Sequence, residues 1–533
     1  MYTTARKRLE AVYKKCSSRP LSGRMVGVEK ECLRVAPDGS LSTLAHPQAL
    51  GAALTHSTIT TDFSEALLEI VTPPFQDMSD TLACLAETQA FVYAGLPEGE
   101  LLWGSSMPCK LNLDCDVPIG RYGTSNIGRM KHVYRRGLGL RYGRKMQAIA
   151  GVHYNYSYPE TFWELMAEVE GVSQVDTTFV SKQYFALVRN ILRFGWLIPY
   201  LFGSSPAVCK SFFGRSKPPE KMQQLGRNTL YEPYATSLRM GDIGYQNNRE
   251  ESETIDADYN SLNAYVAFLQ RAITTPSARY AKLGLRDADD EYQQLNTHLL
   301  QIENEYYSSI RPKQITRPNE MPSIALAKRG VQYVELRSLD VNAYDPLGIN
   351  DEQLRFVESF MLFCMLCESP DIKLSEQLEI KNNLLAVAHN GRDPDLQLCR
   401  QGEQISLRKW GAEILEVVGD MCDLLDVAGK PKHYCNSLTQ QLTKLYEPDK
   451  TPSGTMLQEL KDNDEDFASF GLRQSEVHRK HFAASPLSAD RMQELQQAVE
   501  ASHEKQLAIE SADNKSFEAF LDDYFSQLQS PLT

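Results

Sequence analysis

The segment 26–35, VGVEKECLRV, is the feature that most constrains how this chain can fold. It is rich in valine, leucine and cysteine and includes a glycine that permits close backbone approach, a composition typical of a β-strand. Side chains alternate across a strand, so Glu29 and Glu31 would project from one face about 7 Å apart, whereas on a helix they would diverge by about 200°. Carboxylates at that spacing can bracket divalent ions lying about 3.5–4 Å from one another. The alternative is that both are charges on a solvent-facing strand.

Composition restricts the class of protein. The 533 residues are 42% hydrophobic and 23% charged, which is ordinary for a globular protein. The net charge of −13 argues against a nonspecific nucleic-acid binder, which needs a positive surface, and is compatible with recruiting metal cations to anionic nucleotides. The most apolar stretch, 191–209, is interrupted by Arg193, Pro199, Gly203 and Pro206, so no membrane span and no membrane partner are predicted.

The cysteines indicate reduced thiols and a cytoplasmic location. They number eleven, an odd count, and are scattered along the chain. Cys364 and Cys367 have C-x-x-C spacing, but they lie in an apolar run without a second pair nearby, which favours a buried helix face over zinc. The basic, amphipathic N-terminus (1–18) lacks the apolar core of a secretory signal.

The pattern of periodicity divides the chain near residue 350. Segments 1–350 mix helical runs, such as 79–93 and 181–201, with short strand-like runs, and predict a sheet-and-helix core. The remainder, 351–533, is predicted to be largely helical and packed on the core as one large domain. Its predicted helices are 351–367, 375–388, 407–427, 437–446, 489–509 and 516–528.

A second acidic segment, 60–72, is followed by two prolines, and its Ile-Val-Thr ending favours a strand over a helix. On that strand Glu65 and Glu69 would share a face, while Asp62 precedes it in a loop that could turn the carboxylate inward. For Glu65 the alternative is a surface charge.

Segment 151–157, GVHYNYS, would place His153 and Asn155 on one strand face. A single histidine on such a strand is more often a hydrogen-bonded structural residue, although a neutral imidazole can also bind a metal. Segment 331–340, VQYVELRSLD, would place Glu335 and Arg337 on one face. The two could form a simple ion pair; beside a metal cluster, the carboxylate would bind Mg²⁺ and the arginine would neutralise a transferring phosphoryl group.

Standard nucleotide and calcium signals are missing from the sequence. There is no G-x-x-x-x-G-K-[ST] loop, and the glycine-rich stretch 137–143 is only a near match to G-x-G-x-x-G. The segment beginning at Asn112 opens like a calcium loop, but Val117 and Gly123 replace its required glycine and glutamate. A nucleotide would therefore be bound through metals and arginines on a sheet.

Several motifs, in this order, resemble those of the proteobacterial glutamate–cysteine ligase (γ-glutamylcysteine synthetase) family. The resemblance covers most of 1–350 and is looser beyond. The motifs are VEKECLRV (28–35), HPQALGAALTHSTITTDFSEALLEIVTP (46–73), RYGTSNIGRMKHVYRRGL (121–138), AGVHYNYS (150–157), PYATSLRMGDIGY (233–245), QIENEYYSSIRPK (301–313) and YVELRSLD (333–340).

The resemblance implies an α+β fold similar to glutamine synthetase, with a curled antiparallel β-sheet forming a funnel-shaped active site and helices packed outside. It implies two or three Mg²⁺ ions, replaceable by Mn²⁺, with ATP, L-glutamate and L-cysteine as substrates of a cytoplasmic monomer. The implied metal ligands are Glu29, Glu31, Asp62, Glu69, His153 and Glu335. Of these Glu29 and Glu335 would act in catalysis with Arg337. The implied acceptor pocket comprises Tyr134, Leu138, Gln147, Arg239, Tyr245 and Tyr307, and the nucleotide phosphates would contact Arg337 and Arg311.

The reaction implied is ligation of the γ-carboxylate of glutamate to the amine of cysteine through a γ-glutamyl phosphate, the first step of glutathione biosynthesis. Metal ligands alone do not choose the amine, so a glutamate ligase with another acceptor remains an alternative. A phosphagen-type kinase would release a stable phosphorylated product, and a noncatalytic metal-binding protein would need no arginine beside Glu335.

Overall fold

The computed structural model describes residues 2–15, 21–111, 113–243, 256–426 and 430–529. The strands are β1 (Met25–Val35), β2 (Ile59–Thr61), β3 (Leu67–Val71), β4 (Leu101–Leu102), β5 (Gly151–Ser157), β6 (Ala207–Cys209), β7 (Gln223–Leu225), β8 (Thr229–Tyr231), β9 (Ile310–Lys313), β10 (Tyr333–Asp340), β11 (Gln397–Arg400) and β12 (Glu403–Ser406). The helices of 1–350 are α1 (Tyr2–Lys15), α2 (Met78–Gly95), α3 (Asn126–Tyr142), α4 (Glu160–Glu170), α5 (Thr177–Phe194), α6 (Leu197–Phe202), α7 (Leu262–Thr274), α8 (Ala278–Leu283) and α9 (Pro322–Arg329). Those of the last third are α10 (Asp351–Leu366), α11 (Leu374–Asn390), α12 (Leu407–Leu425), α13 (His433–Tyr446), α14 (Pro452–Asp462), α15 (Phe467–Ala484), α16 (Ala489–Ala512) and α17 (Phe517–Ser526).

One antiparallel sheet organises the molecule. Its strand order is β2-β3-β1-β5-β10-β9, and β4 pairs with the end of β1. Alternate side chains on one face, including Val28, Tyr154 and Leu336, are fully or almost fully buried against helices, which is why these segments form strands. We call this the back face and the opposite, polar surface the front face. The predicted α+β class, with helices outside an antiparallel sheet and a largely helical last third, is confirmed.

Helix α10 joins the two parts of the chain. From Leu354 to Leu366 all but one of its residues are buried, and it packs against α5, α12 and α13. Glu358 on this helix accepts a hydrogen bond from the hydroxyl of Tyr156 at 2.9 Å, on the back of β5. Cys364 and Cys367 are buried free thiols, as predicted for a buried helix face. The buried hydrophobic residues on both sides of residue 350 belong to one cluster.

Three predicted features differ in the structure. The predicted helix 181–201 is two helices, α5 and α6, because Gly195 ends α5. The last third also contains α14, α15 and the β11–β12 hairpin, whose short strands give little periodic signal. Glu65 precedes β3 instead of lying on it. Among the described residues, no helix is long and apolar enough to cross a membrane.

Candidate active site

The strand register brings the predicted acidic residues onto the front face. Glu29 on β1 is directly opposite His153 on β5, and Glu31 is directly opposite Glu69 on β3. Glu335 on β10 is opposite Asn155. Because directly opposed residues of an antiparallel pair project from the same face, four separate segments of the sequence contribute to one surface.

His153 lies at the centre of these carboxylates. Its Nδ1 is 3.0 Å from Glu29 Oε2 and 3.4 Å from Glu335 Oε1. Its Nε2 is 3.7 Å from Glu31 Oε1. Glu29, Glu69 and His153 each offer a ligand atom, and these atoms lie within 4.8 Å of one another, close enough for one cation. Asn155 Nδ2 donates to Glu29 Oε1 at 2.8 Å and orients that carboxylate.

The electrostatics of this surface favour a divalent cation. Glu31 and Glu69 are directly opposite each other, an arrangement of like charges that destabilises a sheet. Burial, then the charges of Glu29 and Asp62, raise the pKa of Glu69 well above its usual range. Burial also raises the pKa of Glu31. Carboxylate oxygens are the donors that Mg²⁺ and Mn²⁺ prefer, and a bound cation would relieve this repulsion, so the residues fit the predicted metals.

Two cationic side chains border the carboxylates at β10. Lys313 Nζ lies 3.0 Å from Glu335 Oε2, and the Arg337 guanidinium donates to Glu335 Oε1 at 2.6 Å. Burial alone would raise the pKa of Glu335, but the charges of Arg337 and Lys313 hold it well below its usual range. Arg311, two residues before Lys313 on β9, donates to Asn304 O at 3.0 Å and lines the same cavity. This edge of the sheet therefore places positively charged side chains directly beside the carboxylates of the front face.

A β-bulge occurs in β10 at Arg337. Leu336 pairs with Tyr154 and Leu339 with Val152, so two residues of β10 stand opposite the single residue between those partners. The extra residue shifts the alternation, and Asp340, opposite Gly151, lies on the front face although it is five positions after Glu335. Asp340 accepts hydrogen bonds from Ser204 N at 2.9 Å, Ser205 Oγ at 2.6 Å and Ser237 Oγ at 2.9 Å.

Asp340 and the bulge fix the position of Arg239. One guanidinium nitrogen of Arg239 donates to the Arg337 carbonyl at 2.7 Å, and another lies 3.7 Å from Asp340 Oδ1. The guanidinium passes directly over Gly151, where a Cβ atom would come within 2.1 Å of it. Position 151 must therefore be glycine for Arg239 to reach this place.

The front face forms one wall of a cavity of about 510 Å³. The opposite wall is one face of α3, on which the lining residues Ile127, Lys131, Tyr134, Arg135 and Leu138 recur at helical spacing. The structure places the following predicted residues in the cavity: Glu29, Glu31, Asp62, Glu69, Tyr134, Leu138, Gln147, His153, Arg239, Tyr307, Arg311, Glu335 and Arg337. Tyr245 lies outside the described residues.

The structure does not bring Glu65 into this group. Its carboxylate accepts hydrogen bonds from the backbone nitrogens of His46, at 2.7 Å, and Arg121. Its role is to hold two loops.

Lys30, between the two glutamates of β1, points to the back face, where Nζ donates to Gln89 Oε1 at 2.8 Å and Pro346 O at 3.0 Å.

Several cavity residues were not predicted from the sequence: Lys131, Arg135, Lys313 and Tyr524. Lys131 and Arg135 could have been found from their i, i+4 spacing with Ile127, and Lys313 from its alternation with Arg311 on β9. No comparable signal marks Tyr524, which comes from α17 at the far end of the chain.

Comparison with known proteins shows the family. A profile of the family described as glutamate-cysteine ligase matches residues 9–387. The chain belongs to the glutamate–cysteine ligase family. It is 44% identical to a glutamate–cysteine ligase of Alcanivorax borkumensis over 522 residues, covering 97% of this chain and 98% of the relative. It is 46% identical over 499 residues to one of Pseudomonas paraeruginosa, covering 93% of each.

Solved structures extend the similarity to three dimensions. A glutamate–cysteine ligase from Francisella tularensis in complex with AMP superposes with a TM-score of 0.88 at 34% identity, covering 95% of this chain and 98% of that one. A bifunctional glutathione synthetase from Pasteurella multocida superposes with a TM-score of 0.70 at 22% identity, covering 89% of this chain and 55% of the other, and shares the fold. Membership of the family makes the chain a ligase.

Proposed function

We propose that this chain ligates the γ-carboxylate of L-glutamate to the amino group of L-cysteine at the expense of ATP. Three findings support this: membership of the ligase family, similarity to a family structure solved with AMP, and the front-face site. The observation that carries the proposal is the convergence of Glu29, Glu69 and His153 on one cation-sized position, beside Arg337 and Lys313. This combination of metal ligands and cations suits phosphoryl transfer.

The acidic residues of the front face would hold two or three Mg²⁺ ions, or Mn²⁺ in their place. The proposed ligands are Glu29, Glu31, Asp62, Glu69, His153 and Glu335. When bound, these ions would neutralise the ATP phosphates and polarise the transferring phosphoryl oxygens. Asn155 and Lys313 support the set, since they hold the carboxylates of Glu29 and Glu335 in place.

In the first proposed step, a γ-carboxylate oxygen of glutamate attacks the γ-phosphorus of ATP and the bond to the β,γ-bridging oxygen breaks, giving γ-glutamyl phosphate and ADP. Negative charge grows on the leaving and equatorial oxygens, and Arg337, Lys313 and Arg311 line the cavity where it can be compensated. Arg337 could donate to these oxygens. One of its terminal nitrogens is held by Glu335, whereas its buried Nε has no hydrogen-bond partner among the described residues.

In the second step the neutral amine of cysteine attacks the acyl carbon, phosphate leaves, and the nitrogen loses a proton to form the amide. The acceptor pocket is proposed to comprise Tyr134, Leu138, Gln147, Arg239 and Tyr307, together with Tyr245. We also propose that the partners of the chain are small molecules only and that it acts as a monomer in the cytoplasm.

The test is ADP release by the purified chain with Mg²⁺, ATP and glutamate, with cysteine and a panel of other amines added one at a time. The proposal expects turnover that depends on cysteine and yields γ-glutamylcysteine by mass. Turnover with another amine in place of cysteine would support the alternative acceptor, and a stable phosphorylated product without amine would indicate a kinase. A chain that binds Mg²⁺ but releases no ADP under any of these conditions would contradict the ligase proposal and the kinase alternative alike.

A matched pair of variants sharpens this test. Glu69→Gln removes a front-face carboxylate, whereas Glu65→Gln alters a carboxylate that only holds two backbone nitrogens. We expect the first to lower kcat by about 10² or more and the second to leave kcat within a few-fold, because only the first removes charge that acts on the reaction. Equal losses in both variants would assign the effect to folding.

A further inference from the structure

The C-terminal segment 510–527 returns to the catalytic cavity. It comprises the end of α16, a short connection and α17, and it lies beyond residue 387, where the match to the family profile ends. The sequence marks it only as helix. In the structure, it contacts both the first turn of α3 and the segment 314–321, two parts of the cavity wall.

The first contact holds the N-terminal end of α3. The backbone nitrogen of Thr124 donates to Glu510 Oε1 at 2.8 Å. Asn126, the first residue of the helix, donates from its backbone nitrogen to Asp513 Oδ2 and from Nδ2 to Asp513 Oδ1 at 2.7 Å. These carboxylates satisfy nitrogens at the helix N-terminus, where negative charge is favourable. The Arg129 guanidinium lies 4.6 Å from the centre of the Phe517 ring.

The second contact holds segment 314–321. Gln527 accepts from the backbone nitrogen of Met321 at 3.1 Å and donates to the carbonyl of Asn319 at 2.9 Å. Asn319 has a left-handed backbone conformation, φ +59°, so this two-point contact stabilises a turn that is costly on its own. Between the two contacts, Tyr524 is 8% exposed and lines the cavity.

Position along α3 separates this end of the cavity from the proposed acceptor pocket. Along the helix, Ile127 is seven residues from Tyr134 and eleven from Leu138, about 10 Å and about 16 Å along the axis. Leu138 belongs to the acceptor pocket, whereas α17 contacts the opposite, N-terminal end of α3. The cavity lining includes the apolar side chains of Ile127, Ile302 and Pro322, and segment 314–321 adds the charged side chains of Arg317 and Glu320. Strand β9, which carries Arg311 and Lys313, leads directly into segment 314–321.

Only one substrate of the proposed reaction has a large, flat, apolar group. Glutamate carries charge at both ends, and cysteine is assigned to the other end of the cavity. We propose that Tyr524 contacts the adenine base of ATP and that segment 510–527 positions the walls of this adenine lobe. The phosphates then extend from the lobe toward Lys313 and Arg337. The inference rests on the proposed function for the identity of the ligand.

The test is equilibrium titration of the full-length chain with ADP in the presence of Mg²⁺, together with steady-state KM values for all three substrates. Tyr524→Ala is expected to raise the ADP Kd and the ATP KM by roughly tenfold to a hundredfold, the scale of a lost base–aromatic contact. Tyr524→Phe keeps the ring and should stay within about twofold. Phe525→Ala, the adjacent aromatic that does not line the cavity, is the matched control and should also stay within about twofold.

The outcomes separate this inference from the proposed function. Unchanged ADP affinity in a folded Tyr524→Ala variant, or an increase confined to the KM for glutamate or cysteine, would overturn it. An equal loss in Phe525→Ala would also overturn it, since the effect would then be one of packing. ADP binding can be measured without turnover. A wild-type chain that binds ADP but forms no amide would therefore refute the proposed function. The ADP Kd of Tyr524→Ala relative to wild type would still decide whether Tyr524 contacts the base.

Discussion

Replacing Glu358 with alanine should destabilise the sheet and the helical last third together. This carboxylate is fully buried on α10 and receives three groups from other parts of the chain. The Tyr156 hydroxyl donates to it from the back of β5, the Tyr434 hydroxyl donates from α13, and the Arg24 guanidinium pairs with it from the segment before β1.

The size of the effect follows from what the substitution leaves unpaired. Removing one partner of a buried ion pair costs about 3–5 kcal/mol; Arg24 retains 19% side-chain exposure, so the lower end applies. Each buried hydroxyl left without an acceptor costs about 1–3 kcal/mol, and Tyr156 is only 1% exposed. With both hydroxyls near the lower end of that range, Glu358→Ala should reduce the free energy of unfolding by about 5 kcal/mol. Glu358→Gln keeps an acceptor and should cost about half as much.

Urea unfolding followed by both circular dichroism and tryptophan fluorescence measures this change at constant m-value. The two transitions should shift together. Circular dichroism reports on the whole chain, and tryptophan fluorescence samples both parts of it, since Trp163 lies in the sheet-and-helix part and Trp410 in the helical part. The control is Glu416→Ala, whose exposed pair with Arg6 should be worth under about 1 kcal/mol. A loss below about 1 kcal/mol for Glu358→Ala, or a shift in one signal alone, would refute the reasoning.

Three further predictions address the site and its surroundings. Arg337→Ala should lower kcat by about 10² or more, since one charge-stabilising group is lost; near wild-type kcat would show that it does not face the phosphates. Lys313→Met should lower kcat at least about tenfold and change the free energy of unfolding by no more than about 1 kcal/mol, and the reverse pattern would make Lys313 structural. Burial alone would lower the pKa of His389, but hydrogen bonds to Asp242 and Glu232 raise it. Protonated His389 should therefore stabilise the fold fully below about pH 6.5, and this stabilisation should be lost as pH rises through the pKa of the folded state. Urea midpoints measured between pH 6 and 9 should fall more steeply for wild type than for His389→Asn. Parallel curves would contradict this.

The front face was accessible from sequence because it depends on a local rule. Within a strand, alternate side chains share a face, and that rule alone places Glu29 with Glu31 and Glu335 with Arg337. Which strands become neighbours is not local. The pairing of Glu31 with Glu69 and of Glu29 with His153 could be expected only through the resemblance to a family, not from the residues themselves.

The remaining features depend on packing between distant parts of the chain. Tyr524 reaches the cavity only because α17 docks against α3, almost four hundred positions earlier, and neither helix carries a motif for the contact. Asp340 shows a different limit. Simple alternation from Glu335 would place it on the back face, and the bulge that turns it forward has no signature in the sequence. The proposed division of the chain at residue 350 and the residue roles in the site stay predictions.

The bulge in β10 makes this site sensitive to the number of residues as well as to their identity. Glu335 and Asp340 lie at opposite ends of the front-face part of β10, and both project from that face only because the bulge adds one residue between them. Deleting Ser338 would leave both side chains in the sequence but would turn Asp340 toward the core, so that Arg239 would lose its carboxylate. Over evolution, β10 should therefore accept substitutions far more readily than single-residue insertions or deletions, and changes in its length should occur in pairs.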